Sequence, residues 1–128
     1  MLKTLKVVLL GSVLVMVGCK ATPIMNVTDK AIVGEHELTV IEKSIMKASI
    51  RKGWQPKKIS EGVIEAKINV RNKHYATVSI LYSEKSFSIN YVDSKGLDVK
   101  RNKIHKSYNR WIAHLTKEIE QEILFSDL

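Results

Sequence analysis

The sequence Ile64-Glu65-Ala66-Lys67-Ile68-Asn69-Val70-Arg71 decides the predicted fold, because apolar and polar residues alternate along its whole length. In an extended strand, successive side chains point to opposite faces of the sheet. The apolar residues of this stretch therefore share one face, and the polar residues share the other. Such a pattern is typical of an antiparallel sheet that has one buried face and one face in water.

The same two-residue period extends to both sides of this stretch and predicts four consecutive strands between Trp54 and Val92. Their short connections join antiparallel neighbours, so we expect a meander. Pro56 lacks an amide hydrogen, which favours an edge position for the first strand. The last strand, Ser86–Val92, is the other candidate edge, open to a partner unless the segment Ile24–Val33 covers it. The later strands are expected to bury Ala76, Val78, Ile80, Tyr82, Phe87, Ile89 and Tyr91.

Two helices are predicted to flank the sheet. Thr39 and Glu42 have the spacing of a capping box, which predicts a helix from Val40 to Lys52 that ends at Gly53. The second helix is expected from Lys103 to Phe125, with Asn102 as its N-cap. Its apolar residues recur every three or four positions: Ile104, Tyr108, Trp111, Ile112, Leu115, Ile119 and Ile123.

These elements predict an α+β fold in the order α-β-β-β-β-α. Neither helix can bury its apolar stripe alone, and the sheet offers one apolar face. We therefore expect a two-layer sandwich with a four-stranded antiparallel meander and both helices on one face. This single domain is predicted to occupy residues 38–128. The turn after the sheet is expected at Asp93–Gly96.

The beginning of the chain has the pattern of a secretory signal. Lys3 and Lys6 precede an apolar run from Val7 to Val17, which is too short to span a bilayer. The run ends in Met16-Val17-Gly18-Cys19, which resembles the lipobox of bacterial lipoproteins. The resemblance implies that residues 1–18 form a signal peptide and that Cys19 is lipidated as the mature N-terminus. It also implies the outer membrane, because Lys20 is not the Asp of an inner-membrane retention signal.

Residues 19–37 are predicted to be the lipidated cysteine and a tether. As a flexible coil of about 15 residues, the tether would span ~20 Å, or ~50 Å when pulled straight. Its apolar residues are numerous for a linker, namely Ile24, Met25, Val27, Ile32 and Val33. The alternative is that part of this segment packs on the domain as an extra strand.

A wider resemblance covers about residues 39–120. The motifs Lys52-Gly53-Trp54, His74-Tyr75-Ala76, Phe87-Ser88-Ile89-Asn90-Tyr91 and Tyr108-Asn109-Arg110-Trp111-Ile112 are similar to those of small envelope lipoproteins of proteobacteria. These relatives are uncharacterised, so the resemblance implies a fold and an envelope location. It implies no catalytic residue, ligand or partner.

Charge and cysteine content restrict the classes of function. The chain of 128 residues has a formal net charge of +8 and one cysteine, so an intramolecular disulfide is excluded. Removing Lys3 and Lys6 from the 21 basic residues leaves 19 against 13 acidic residues, a net charge of +6. For an exported protein, this charge favours anionic lipid, lipopolysaccharide or cell-wall polymer over nucleic acid as a partner.

One cluster of charges contradicts what helix stability favours. Cations crowd the start of the last helix and acidic residues crowd its end, whereas the helix dipole prefers the reverse. The cluster is a candidate anion-binding site. The alternatives are a solvated charged face and pairing with acidic residues elsewhere in the fold. Its predicted binding residues are Lys100, Arg101, Lys103, Lys106 and Arg110.

The other constellations are weaker. Asp93, Ser94 and His105 suggest a small periplasmic hydrolase as the alternative function, although no nucleophile elbow accompanies them. The four histidines, His36, His74, His105 and His114, lack the spacing of a metal site. We therefore predict no metal, no cofactor and no enzymatic activity. The leading hypothesis is a lipid-anchored periplasmic binding or structural module whose partner is a protein or an anionic envelope polymer.

Overall fold

The structure, a computed structural model, describes residues 21–128. The predicted signal peptide and Cys19 lie outside the described residues. In chain order the elements are β1 (Ala21–Pro23), β2 (Val27–Ala31), α1 (Leu38–Arg51), β3 (Trp54–Ser60), β4 (Val63–Val70), β5 (His74–Tyr82), β6 (Ser86–Lys95), β7 (Lys103–His105) and α2 (Lys106–Leu124).

The main sheet has five antiparallel strands in the order β2-β6-β5-β4-β3, and β1 pairs with β7 in a separate two-stranded sheet. The α+β prediction is confirmed, but a four-stranded sheet is only roughly right. The four predicted strands form the meander, and β3 lies at an edge as Pro56 indicated. The fifth strand, β2, pairs with β6 and covers the edge that was expected to be open. The alternative that part of the tether packs as a strand is thereby confirmed.

Strand β6 is longer than predicted because it contains an irregularity. Val78 pairs with Tyr91 and Thr77 pairs with Asp93, so Val92 is an extra residue on the β6 side. Because of this bulge, the residues of β6 after Val92 face the same sides of the sheet as the β5 residues with which they pair. The prediction of a turn at Asp93–Gly96 is therefore wrong for residues 93–95, which belong to the strand.

Both helices begin at residues other than those predicted. The N-cap of α1 is Glu37, so Thr39 lies inside the helix and the predicted capping box is wrong. The end of α1 is as predicted, since Gly53 follows it with a φ of 88°. Helix α2 begins at Lys106 rather than Lys103, and its N-cap is His105 rather than Asn102.

The core consists largely of the side chains that the two-residue and three-to-four-residue periods selected, although Tyr91 and Trp111 are only partly buried. Inward-facing residues of β4, β5 and β6 form one cluster with the apolar residues of both helices. Trp54 and Tyr108 are the largest of the fully buried side chains. Leu97, in the connection after β6, is also fully buried and was not predicted.

A small polar network connects α1 to the edge of the sheet. The Tyr82 hydroxyl donates to Glu42 Oε1 at 3.1 Å, and Lys58 Nζ lies 3.0 Å from the same oxygen. The hydrogen bond from Lys58 lowers the pKa of the Glu42 carboxyl below its ordinary value of 4.5. Burial acts in the opposite direction, and the hydrogen bond from Tyr82 lowers the pKa further. Burial raises the pKa of Tyr82, so this residue stays a donor.

Because the folded-state pKa of Glu42 is depressed, its contribution to stability is present above pH 4.5 and is lost as the pH falls below that value. We expect Glu42→Gln to lower the midpoint of urea unfolding at pH 7 and to have little effect at pH 3. Glu84→Gln, at an exposed position outside the ion pairs, is the control. Equal destabilisation by Glu42→Gln at both pH values would contradict this linkage.

Candidate anion-binding surface

A tight hairpin carries three of the predicted cations. Lys100 and Lys103 exchange backbone hydrogen bonds of 3.0 Å in both directions. Between them, Arg101 and Asn102 have φ values of 52° and 65°, and positive φ at both central residues is the requirement of a type I′ turn. A left-handed conformation costs a residue with a Cβ atom roughly 1–2 kcal/mol. The turn thus displays Arg101 at its tip, between two lysines that face each other.

The remaining two cations lie at the start of α2. Lys106 and Arg110 are four residues apart, so they are neighbours on one helix face. The first turn of α2 contains no acidic residue. The Arg110 guanidinium donates a hydrogen bond of 3.3 Å to the Ser107 hydroxyl. This acceptor is uncharged, so it does not neutralise the charge of Arg110. Like charges at this spacing and at this end of a helix are unfavourable.

We call the five exposed cations of the hairpin and of α2 the basic surface: Lys100, Arg101, Lys103, Lys106 and Arg110. Within residues 21–128, none of the five lies in an ion pair. Like charges opposed across a turn and stacked along a helix weaken the folded state. The five cations thus repel one another, and no carboxylate of the described fold forms an ion pair with them.

The acidic end of α2 has other partners. Glu122 and Glu118 lie 3.0 Å and 4.0 Å from Arg51 Nε at the end of α1, and Glu118 lies 3.8 Å from Lys52. Glu120 lies 3.6 Å from Lys30 of β2. Pairing of the basic surface with acidic residues elsewhere, one of the two alternatives to an anion site, is therefore not found in the part of the chain that the structure describes.

The loop between β6 and β7 is held in place by backbone contacts. The Leu97 carbonyl accepts a hydrogen bond of 2.9 Å from the His105 amide. Gly96 has a φ of 79° and lies against the β4–β5 turn, where a Cβ atom would overlap the Lys73 carbonyl oxygen. The position of the basic hairpin thus depends on the absence of a side chain at Gly96.

Asn109 fastens the N-terminal segment to α2 and was not predicted as important. Its Nδ2 atom donates to Thr22 Oγ1 at 2.9 Å and to the Pro23 carbonyl at 2.8 Å. Its Oδ1 atom accepts from the Met25 amide at 3.0 Å. The available signal was weak, because Asn is a poor helix former but occurs within helices for many reasons. The predicted tether is consequently wrong from residue 21 to residue 31, which pack on the domain.

The residues of the hydrolase hypothesis are not arranged as a triad. Asp93 pairs with Thr77 and Ser94 with Ala76, so the two side chains point to opposite faces of β6. The Ser94 hydroxyl is hydrogen-bonded to the Tyr91 hydroxyl at 2.8 Å. His105 Nδ1 accepts from the Ser107 amide, and its ring stacks on His74 at 6.1 Å between centroids. A hydrogen-bonded chain from Asp93 through His105 to Ser94 is not formed.

An apolar cleft lies at the other end of α2. It has a volume of about 330 Å³, near the lower limit for small-molecule pockets. Its lining consists of Ala31, Ile32, Val33, Phe87, Glu120, Ile123 and Leu124. No pattern in the sequence indicated this cleft, because its walls come from three elements that only the fold brings together.

Comparisons of the chain with protein-family models, with curated proteins and with solved structures find no match. Across residues 21–128, no three His, Cys, Asp or Glu side chains are grouped as metal ligands. No helix in that range is long and apolar enough to cross a membrane. What the chain does must therefore be inferred from its own residues and their arrangement.

Substituting Gly96 tests how the basic hairpin is positioned. We expect Gly96→Ala to destabilise the protein by about 3 kcal/mol or more, because backbone strain and steric overlap add together. Gly53→Ala is the matched control, since Gly53 also has a positive φ but a Cβ atom there meets nothing within 4 Å. The control should cost only about 1 kcal/mol of strain. Equal losses in urea unfolding would show that the contact with Lys73 is unimportant.

Proposed function

We propose that this protein is a non-enzymatic binding module of the bacterial cell envelope. It is anchored through a lipid on Cys19 to the periplasmic face of the outer membrane. It binds an anionic partner through the basic surface. The lipobox-like ending Met16-Val17-Gly18-Cys19 supports the anchor, and the signal pattern before it supports export.

The observation that carries the binding proposal is the unpaired state of the basic surface. Five exposed cations are gathered at one end of α2, while the acidic residues of the other end are paired with Arg51, Lys52 and Lys30. Concentrated charge of one sign attracts ligands of the opposite sign and raises their local concentration. A phosphate-bearing or carboxylate-bearing surface is the class of partner that this arrangement fits.

The location restricts the partner further. Export removes the chain from cytoplasmic nucleic acid, so anionic lipid, lipopolysaccharide, cell-wall polymer or an acidic envelope protein remain. The hydrolase alternative has less support, since Ser94 and His105 have hydrogen-bond partners outside the proposed triad and Asp93 points to the opposite face of β6 from Ser94.

The anchor is tested by Cys19→Ser. We expect the wild-type protein to incorporate labelled palmitate and to fractionate with membranes, and we expect the variant to incorporate none and to remain unprocessed. Lys20→Ala, which leaves the cysteine in place, is the control for a general effect on export. A wild-type protein without palmitate would refute the lipid anchor.

The basic surface is tested by changing Lys100, Arg101, Lys103 and Lys106 to Gln. Retention of the unlipidated mature form, residues 19–128 with Cys19→Ser, on anionic liposomes or lipopolysaccharide should fall about tenfold or more at low salt, because four attractive charges are lost. The matched control changes Lys43, Lys47, Lys57 and Lys85 to Gln, which removes the same charge from exposed positions elsewhere. The difference should diminish at moderate salt. Equal retention of the two variants would rule out the site.

A further inference from the structure

The first described strand lies beside the strand that carries the basic hairpin into α2. Ala21 pairs with His105 and Pro23 pairs with Lys103. The Ile24 amide continues this contact by donating to the Asn102 carbonyl at 3.0 Å. The chain therefore enters the fold at the basic surface and not at a distant point.

Side-chain hydrogen bonds hold this segment in place. Asn109 binds Thr22, Pro23 and Met25, so three groups within four residues of the segment are tied to α2. Further along, Asn26 Oδ1 accepts from the Tyr91 amide at 2.9 Å, beside the bulge in β6. The segment cannot extend away from the domain unless these hydrogen bonds and the β1–β7 pairing break.

Docking of this segment shortens the connection to Cys19. Only Lys20 separates Cys19 from Ala21, so two residue steps of about 3.5 Å limit the reach to ~7 Å. The tether expected from the sequence would instead have reached ~20–50 Å. A reach of ~7 Å is comparable to the electrostatic screening length of ~8–10 Å at physiological ionic strength.

We infer that the basic surface binds the phosphate groups of anionic phospholipids in the same membrane leaflet that holds the Cys19 lipid. This inference rests on the lipid anchor of the proposed function and names the partner of the basic surface. A short connection keeps Ala21, and with it the adjacent basic surface, close to the head groups, so the effective concentration of those groups is high without a separate encounter. Partners beyond the leaflet have no such advantage.

The inference also predicts how the domain is oriented. Helix α2 has 19 residues and is about 28 Å long, and the basic surface lies at its first turns. Its paired acidic end and the apolar cleft beside Ile123 and Leu124 would then lie far from the lipid. Binding to the membrane would leave that end accessible from the periplasm.

Lysine acetylation measured by mass spectrometry tests this orientation. The lipidated protein would be reconstituted into vesicles of phosphatidylcholine alone or with roughly one-third phosphatidylglycerol. We expect Lys100, Lys103 and Lys106 to react several-fold more slowly in the anionic vesicles. Lys43, Lys47 and Lys57 are internal controls that should react equally in both. The protection should disappear at high salt, because exposed charges are screened.

The length of the connection is tested by inserting about 12 Gly and Ser residues between Lys20 and Ala21, which adds roughly 20 Å of flexible reach. Protection of the three lysines should fall in the insertion variant. The same insertion between Gly34 and Glu35, after β2, is the control and should leave protection unchanged. Asn109→Ala, which removes the hydrogen bonds to Thr22, Pro23 and Met25, should weaken protection in the same direction.

The outcomes separate this inference from the function on which it rests. Palmitate on Cys19 with equal acetylation in both vesicle types would overturn docking to the leaflet and leave the anchor standing. A protein that carries no palmitate would overturn both. Protection that persists with the long insertion would overturn the role of the short connection. Protection that requires added lipopolysaccharide or an acidic polymer would replace phospholipid as the partner.

Discussion

The pairing of the N-terminal segment with the rest of the domain is the constraint on which the other features depend. Ala21–Pro23 pair with Lys103–His105, so those residues become a strand and α2 begins only at Lys106. A few residues later, Val27–Ala31 pair with β6 and remove an open edge from the sheet. Asn109 of α2 holds the segment at Thr22, Pro23 and Met25. One segment thus determines the start of a helix, the width of the sheet and the point of attachment to the preceding chain.

The charges of α2 are organised by the same arrangement. Its last turns lie beside the end of α1 and beside β2, where Arg51, Lys52 and Lys30 neutralise the glutamates. Its first turns lie beside β1 and the basic hairpin, where no carboxylate of the described fold pairs with the cations. This separation of charge gives the domain one end suited to an anionic surface. If the basic surface binds phospholipids of the anchoring leaflet, as we infer, that end faces the membrane and the apolar cleft faces the periplasm.

Local sequence patterns predicted the structure correctly where a single local effect determines it. The alternation in β4 and β5 selects the buried side chains because a strand has only two faces. The predicted end of α1 at Gly53 is confirmed because glycine tolerates the left-handed conformation. The capping box at Thr39 failed because Glu37 provides an extended residue two positions earlier. Asn102 failed as an N-cap because pairing with a distant segment overrides local helix signals, and it occupies a hairpin turn instead.

The sequence by itself determined the class of the fold, the inward faces of the central strands, the absence of an intramolecular disulfide and the identity of the cations in the basic surface. It also carries the lipobox-like pattern on which the proposed anchor rests. Only the tertiary structure decided that the presumed tether is part of the fold, that Asn109 holds it, and that the basic surface lies where the chain enters. The physical reason is that strand pairing and ion pairing join residues more than 50 positions apart, and periodicity describes only near neighbours.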